Sequence, residues 1–297
     1  MGIQPAPSHQ YSHALCRKPG RSVVRGLRST SGEDPDYEAF AKEHVAYVEA
    51  LRQAGLDVTV LDPLETFPDS VFVEDVALCI AEVAIILRPG ATSRFGEREA
   101  ATDALSRAFS TVIDLDTDGF VDGGDILVTE REILVAQSTR SDTRGVGALA
   151  ETLSNFGIPA RRVQTPAGIL HFKSACSLLD AETLFCTRAL ATNGCFAGYR
   201  VIQCPDGEEP AANLIRVNDV VLLGTGYPLT MDLLGAEGYD VANVPTHEAA
   251  KLDGGLSCMS LRWLGPGIFG ASAPRSVGLS PRAPGPGSDG ARPPSGR

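Results

Sequence analysis

Val71-Phe72-Val73-Glu74-Asp75-Val76-Ala77-Leu78-Cys79-Ile80-Ala81-Glu82-Val83-Ala84-Ile85-Ile86-Leu87 is a pair of apolar runs folded about one short polar break, with two adjacent acids inside the first run. Short runs rich in Val and Ile and bounded by turn residues read as buried strands, and the break at Ala81-Glu82 reads as a hairpin. Arg88-Pro89-Gly90 closes the second run. A helical stretch over Gly96 to Phe109 then leads to a strand at Val112 to Leu115. The unit is hairpin, helix, strand.

The unit recurs along the chain. Ile126 to Thr129 and Glu132 to Ala136 form a second hairpin, followed by a helix near Arg144 to Phe156 and a strand at Val163. Ser174 to Leu179 with Thr183 to Thr187 form a third, and Asn213 to Val217 with Val220 to Leu223 a fourth, preceded by Gly198 to Gln203 and followed by a helix at Pro228 to Gly235. Nearer the amino end, a strand over Tyr11 to Arg17 precedes a polar loop at Ser22 to Pro35. An amphipathic helix follows over Asp36 to Ala54, with Tyr37, Phe40, Val45, Val48 and Leu51 as its apolar face, opened by a capping-type Asp34-Pro35 and closed by Gly55. Val58 to Leu61 is the next strand, and Cys258 to Trp263 joins the Tyr11 strand to complete a fifth unit. A period of roughly 45 to 50 residues is that of a propeller blade or comparable supersecondary unit. The expectation is one domain over residues 11–264, a loose segment at 1–10, and a Gly- and Pro-rich tail at 265–297 too poor in apolar groups to offset its ordering entropy.

Composition narrows the partners. Thirty-seven acidic against 26 basic residues give a net charge of -11, which argues against a nucleic-acid surface and suits a cationic small substrate. The seven cysteines are odd in number and scattered, a reduced-thiol pattern that points to an intracellular compartment. The amino terminus shows no continuous apolar segment of signal-peptide type and no run has the length of a bilayer span, so the expectation is a soluble, cytoplasmic protein without a membrane partner.

Polar residues at the heads of the hairpins carry the chemical signal. Glu74 and Asp75 interrupt an apolar run, and buried carboxylates are costly unless paired, a need that a planar N–H array such as a guanidinium meets. Val121-Asp122-Gly123-Gly124-Asp125 opens the second hairpin, Leu170-His171-Phe172-Lys173-Ser174 the third, and Asp253-Gly254-Gly255-Leu256-Ser257-Cys258 leads into the strand that completes the fifth. Taken singly, the acids suit solvated turns, the histidine a structural role and the cysteine a small buried hydrophobe. In a closed ring of blades, however, these heads converge. Cys258, His171 and Asp122 then have the types of a nucleophile, its base and the group that orients the base. Asp69, Glu74 and Asp75 suit a guanidinium, and Arg94 and Arg140 a substrate carboxylate.

Phe72-Val73-Glu74-Asp75-Val76-Ala77, Asp122-Gly123-Gly124-Asp125, Leu170-His171-Phe172-Lys173-Ser174 and Asp253-Gly254-Gly255-Leu256-Ser257-Cys258 resemble, in order and spacing, motifs of the dimethylarginine dimethylaminohydrolases of the guanidine-modifying (amidinotransferase, or pentein) superfamily. The similarity spans about His13 to Trp263. It implies a five-bladed α/β propeller that hydrolyses methylated arginine to citrulline and an amine with no required cofactor; no compact ligand spacing supports a structural metal site, and the sequence leaves monomer or homodimer open. It also implies Cys258 as nucleophile, His171 as acid and base, Asp122 as its partner, Asp69, Glu74 and Asp75 on the guanidinium, Arg94 and Arg140 on the carboxylate, Leu27 as a lid and Leu252 as a backbone contact. The alternatives are arginine deimination or amidino transfer on the same scaffold, a non-catalytic binding module, or a metal-binding protein using Cys258, His171 and nearby acids.

Overall fold

A computed structural model describes residues 8–80 and 82–265. The expectations for residues 1–7, for Ala81 at the first hairpin tip and for residues 266–297 lie outside the described residues.

Five three-stranded sheets share one plan, in which two antiparallel strands are followed, after a helix, by a third parallel to the second. β1 (His13–Arg17) leads through α1 (Tyr37–Gln53) to β2 (Asp57–Leu61). β3 (Ala77–Ile80) and β4 (Val83–Ile86) form the hairpin read from the opening stretch, with Leu78 opposite Ile85. From there α2 (Glu97–Leu105) returns the chain to β5 (Thr111–Asp114), parallel to β4. The plan repeats in β6 (Ile126–Val128), β7 (Ile133–Gln137), α3 (Thr143–Asn155) and β8 (Ala160–Gln164). It repeats again in β9 (Cys176–Leu178), β10 (Thr183–Cys186), α4 (Arg188–Ala191) and β11 (Arg200–Gln203), then in β12 (Ile215–Val217), β13 (Val220–Gly224), α5 (Pro228–Ala236) and β14 (Asp240–Val244). After α6 (His247–Ala250), β15 (Leu261–Trp263) pairs antiparallel with β1, so the fifth sheet joins the two ends of the chain and closes the ring. This is the expected five-bladed α/β propeller.

Local chemistry explains the helices and corrects one of them. In α1 the N-cap is Asp36 rather than the Asp34-Pro35 pair, its side chain accepting the Ala39 N–H at 2.7 Å. Phe40, His44, Tyr47, Val48 and Leu51 are buried, whereas Val45 is 67% exposed. A 3.6-residue period anchored at Phe40, Val48 and Leu51 brings residue 44, not 45, to the inner face. Truncating Phe40 to alanine would remove about 3–5 kcal/mol of packing. Gly55, with φ of 95°, ends the helix in the left-handed conformation that glycine tolerates.

Two stretches expected as strand are turns. Val73–Val76 is a 3-10 turn, so the first strand of its blade begins only at Ala77. A strand would send Glu74 and Asp75 to opposite faces; the turn buries both. Cys258 likewise lies in a turn over residues 256–259, ahead of β15. Comparable 3-10 turns at Gly123–Asp125, Phe172–Ser174 and Glu209–Ala212 precede β6, β9 and β12. Neighbouring turns of this set contact one another in sequence. The Cys258 turn closes the circle: the Glu74 N–H donates to the Cys258 carbonyl at 3.1 Å, and the Ser257 N–H donates to Asn213 Oδ1 at 3.0 Å. Apolar clusters pack the blades around this polar centre.

Candidate active site

The central ring is tight because its turns approach backbone to backbone. A Cβ on Gly123 would lie 1.9 Å from the Glu74 carbonyl oxygen, and one on Gly124 only 2.8 Å from Cγ of His171. The pair therefore does more than turn the chain; it admits the neighbouring acid and imidazole. Asp125 ties the two turns together, accepting from the hydroxyls of Ser138 and Ser141 at 2.6 Å each and from the Phe172 N–H at 2.8 Å.

His171, Asp122 and Asp75 form the polar heart. His171 Nε2 lies 2.9 Å from Asp122 Oδ2 and 3.9 Å from Asp75 Oδ1. Asp122 is wholly buried, and its other oxygen accepts the Gly90 N–H at 2.6 Å. Burial alone would drive the imidazole toward its neutral form, but the carboxylates of Asp75, Asp122 and Asp125 outweigh it and push the His171 pKa up to about 9. Burial also works against the Asp75 carboxylate; the charges of His171 and Arg94 and the Gly124 N–H reverse that and hold its pKa below the usual value. The imidazole is thus an imidazolium at neutral pH.

The Cys258 thiol is its complement. Burial, and then the fields of Glu74 and Asp75, push it up to about 11, while the Gly255 N–H and the Asn213 amide act the other way. Asn213 Nδ2 lies 3.7 Å from the sulfur. The sulfur is therefore held as a protonated thiol, and added positive charge among the same carboxylates would favour its ionisation.

Glu74 forms the floor. Its carboxylate accepts from Lys173 Nζ at 2.6 Å, from Ser257 Oγ at 3.0 Å and from Arg262 at 3.4 Å. A separate cavity of about 230 Å³ reaches Glu74 and Lys173 and is walled by Cys79, Val128, Arg131 and Trp263, without touching Cys258 or His171. At the rim, Asp69 Oδ1 accepts the Leu27 N–H at 2.8 Å, and burial raises the pKa of that carboxyl. Leu27 is 38% exposed, and a Cβ on its neighbour Gly26 would meet the buried Leu252 at 2.7 Å, so all three rim residues share one corner. Ser29 extends that corner by donating its N–H and hydroxyl to the Asp253 carboxylate.

The two arginines separate. Arg94 is buried, donating to both carboxylate oxygens of Glu97, to Asp75 Oδ2 at 2.6 Å, and to the carbonyls of Asp69 and Phe72. Arg140 is half-buried, and its guanidinium makes no hydrogen bond or ion pair among the described residues. Sequence reasoning missed Glu97, Lys173 and Asn213. Asn213 had a legible signal, because it stands two residues ahead of β12 just as Asp75 stands two ahead of β3.

Asp75, Asp122 and His171 could offer a metal three ligand atoms within 4.8 Å of one another. Binding a metal there would require His171 to release its proton. No described helix is long and apolar enough to cross a membrane.

Five α/β blades whose head turns gather a thiol, an imidazole and buried carboxylates around one axis define the pentein class. A family model described as N,N dimethylarginine dimethylhydrolase, eukaryotic, matches residues 29–191. The chain belongs to the dimethylarginine dimethylaminohydrolase family, whose members are hydrolytic enzymes. The dimethylarginine dimethylaminohydrolase of Pseudomonas aeruginosa is 37% identical over 254 residues, covering 85% of this chain and 100% of the relative. That of Streptomyces coelicolor is 33% identical over 252 residues, covering 84% and 96%. A solved structure of a cysteine-to-serine variant of the Pseudomonas enzyme with citrulline matches with a TM-score of 0.83 at 36% identity, over 86% of this chain and 100% of that one. The N-terminal domain of a cyanobacterial arginine dihydrolase shares the fold, with a TM-score of 0.75 at 17% identity over 85% and 98%.

Proposed function

We propose that the protein hydrolyses N-omega-methylated arginine to citrulline and dimethylamine or methylamine, using Cys258 as nucleophile, His171 as acid and base, and Asp122 to hold the imidazole. One observation carries this reading: the head turns bring Cys258 into one ring with the His171–Asp122 pair, 2.9 Å apart, and with the buried Asp75, 3.9 Å from the imidazole. A substrate guanidinium taken up beside Asp69, Glu74 and Asp75 adds positive charge near the sulfur, and the thiol ionises where it is needed.

The sulfur attacks the central guanidinium carbon. The bond from that carbon to the methylated nitrogen breaks, His171 gives its proton to the departing amine, and a thiouronium remains on Cys258. His171 then takes a proton from water, whose oxygen attacks the same carbon. The carbon–sulfur bond breaks as the hydroxyl proton of the adduct passes to sulfur, releasing citrulline and restoring the thiol. The proton that the thiol sheds when substrate binds goes to bulk water, where the released amine takes one up, so protons and electron pairs balance.

Arg140 receives the substrate carboxylate, Leu27 covers the bound molecule and Leu252 meets it through its backbone. Arg94 acts mainly by fixing Asp75; a direct contact with substrate would require it to give up some of its five internal acceptors. The catalytic unit is the single domain over residues 11–264, and seven free cysteines suit a reducing cytoplasm. Cys258→Ser tests the nucleophile: turnover should fall by at least about 10³-fold with the fold intact. Turnover near that of the parent would remove Cys258 from the mechanism.

A further inference from the structure

We propose that Asn213 sets the position of the Cys258 sulfur and stabilises its charged form, an inference that rests on Cys258 being the nucleophile. The side chain is buried at the end of the turn that precedes β12. Its amide has only one workable orientation. The Ser257 N–H can point only at an acceptor, so the oxygen faces it at 3.0 Å and the NH₂ group faces the sulfur at 3.7 Å. Gly255 leaves room for this arrangement, since a Cβ there would lie 2.5 Å from the Asn213 amide carbon.

The two ends of the amide have separate effects. The oxygen fixes the backbone immediately before the nucleophile, and Ser257 is fixed a second time by its hydroxyl on Glu74 at 3.0 Å. The nitrogen is a weak donor to a neutral thiol but a charge-assisted donor to a thiolate, so its contribution grows as the sulfur ionises. With the Gly255 N–H it opposes the two carboxylates that favour the protonated thiol. In the repeat, Asn213 stands where Asp75 stands in the first blade. A carboxylate at that station beside the sulfur would repel the thiolate.

The test is alkylation of Cys258 by iodoacetamide between pH 7 and 10, which needs no substrate, alongside steady-state turnover. Asn213→Asp keeps the acceptor for Ser257 and replaces the donor with a negative charge; Asn213→Ser leaves a small hydroxyl that can still donate. At fixed pH, alkylation should slow about tenfold or more in Asn213→Asp and less in Asn213→Ser. kcat should fall in the same order, with KM within about threefold of the parent. Melting curves identify the folded variants to be compared. A folded variant whose alkylation profile superimposes on the parent's would overturn the role, as would a loss of turnover without any slowing of alkylation. A parent that releases no amine from methylated arginine would sink the proposed function, while the alkylation profiles would still decide what Asn213 does.

Discussion

The turn at Val73–Val76 and the turn at Glu209–Ala212 occupy the same station in two blades, each a 3-10 segment leading into a hairpin. The first carries Glu74 and Asp75, both buried and both bonded to cations, with Lys173 and Arg94 as partners. The second places Ala211 and Ala212 in the interior and ends on a single neutral amide, Asn213. One backbone device thus serves opposite ends. The repeat decides where a side chain enters the centre, and the residue decides whether it brings charge. The first turn brings carboxylates whose fields reach both the imidazole and the sulfur, and the second brings a neutral donor to the sulfur.

Removing charge from the first turn should have the larger effect. Asp75→Asn leaves Arg94 buried with Glu97 as its one carboxylate partner, and breaking a buried pair of this kind costs roughly 3 kcal/mol, measurable by urea denaturation. The same change withdraws the first of the carboxylates that charge His171, so the alkaline limb of kcat/KM should move to lower pH. A variant with parental stability and an unmoved limb would separate Asp75 from the imidazole.

The second effect concerns the parent across pH. His171 is raised in the folded state from 6.5 to about 9, so its contribution to stability is complete below about pH 6.5 and is lost as pH rises through 9. Cys258, raised from 9.0 to about 11, acts with the same sign at still higher pH. Melting temperature should therefore decline between pH 6.5 and 9, and the decline should be shallower in Asp75→Asn. A flat profile in the parent would mean that the carboxylates do not charge the ring. The smallest effect belongs to the neutral turn: Ala211→Gly should cost about 1 kcal/mol and leave the pH profile where it was. A shifted profile there would erase the contrast between the turns.

Much of this architecture can be read without coordinates because each hairpin contrasts sharply with its flanks. The run Val83 to Leu87 is almost wholly buried, and burial on both faces leaves a continuous apolar signature. β14, over Asp240–Val244, escaped notice because its middle residues are only half-buried and its pattern alternates weakly. α4 is four residues long, below the length at which helical periodicity can show. Glu74 and Asp75 were legible as site candidates because acids in an apolar run demand partners; their turn was not, since Val73 and Val76 favour strand when tertiary contacts are unknown. Arg94 and Arg140 looked alike in sequence because both follow strands. Only the packing of Glu97 and Asp75 around one of them distinguishes their environments.

The most direct measurement supplies asymmetric dimethylarginine, monomethylarginine and arginine side by side and quantifies citrulline together with the amine released. Citrulline and dimethylamine formed in equal amounts from the dimethylated substrate, and formed faster than citrulline from arginine, is the expected result. Ammonia from arginine with no dimethylamine from its methylated analogue, or no citrulline from any of the three, would contradict it.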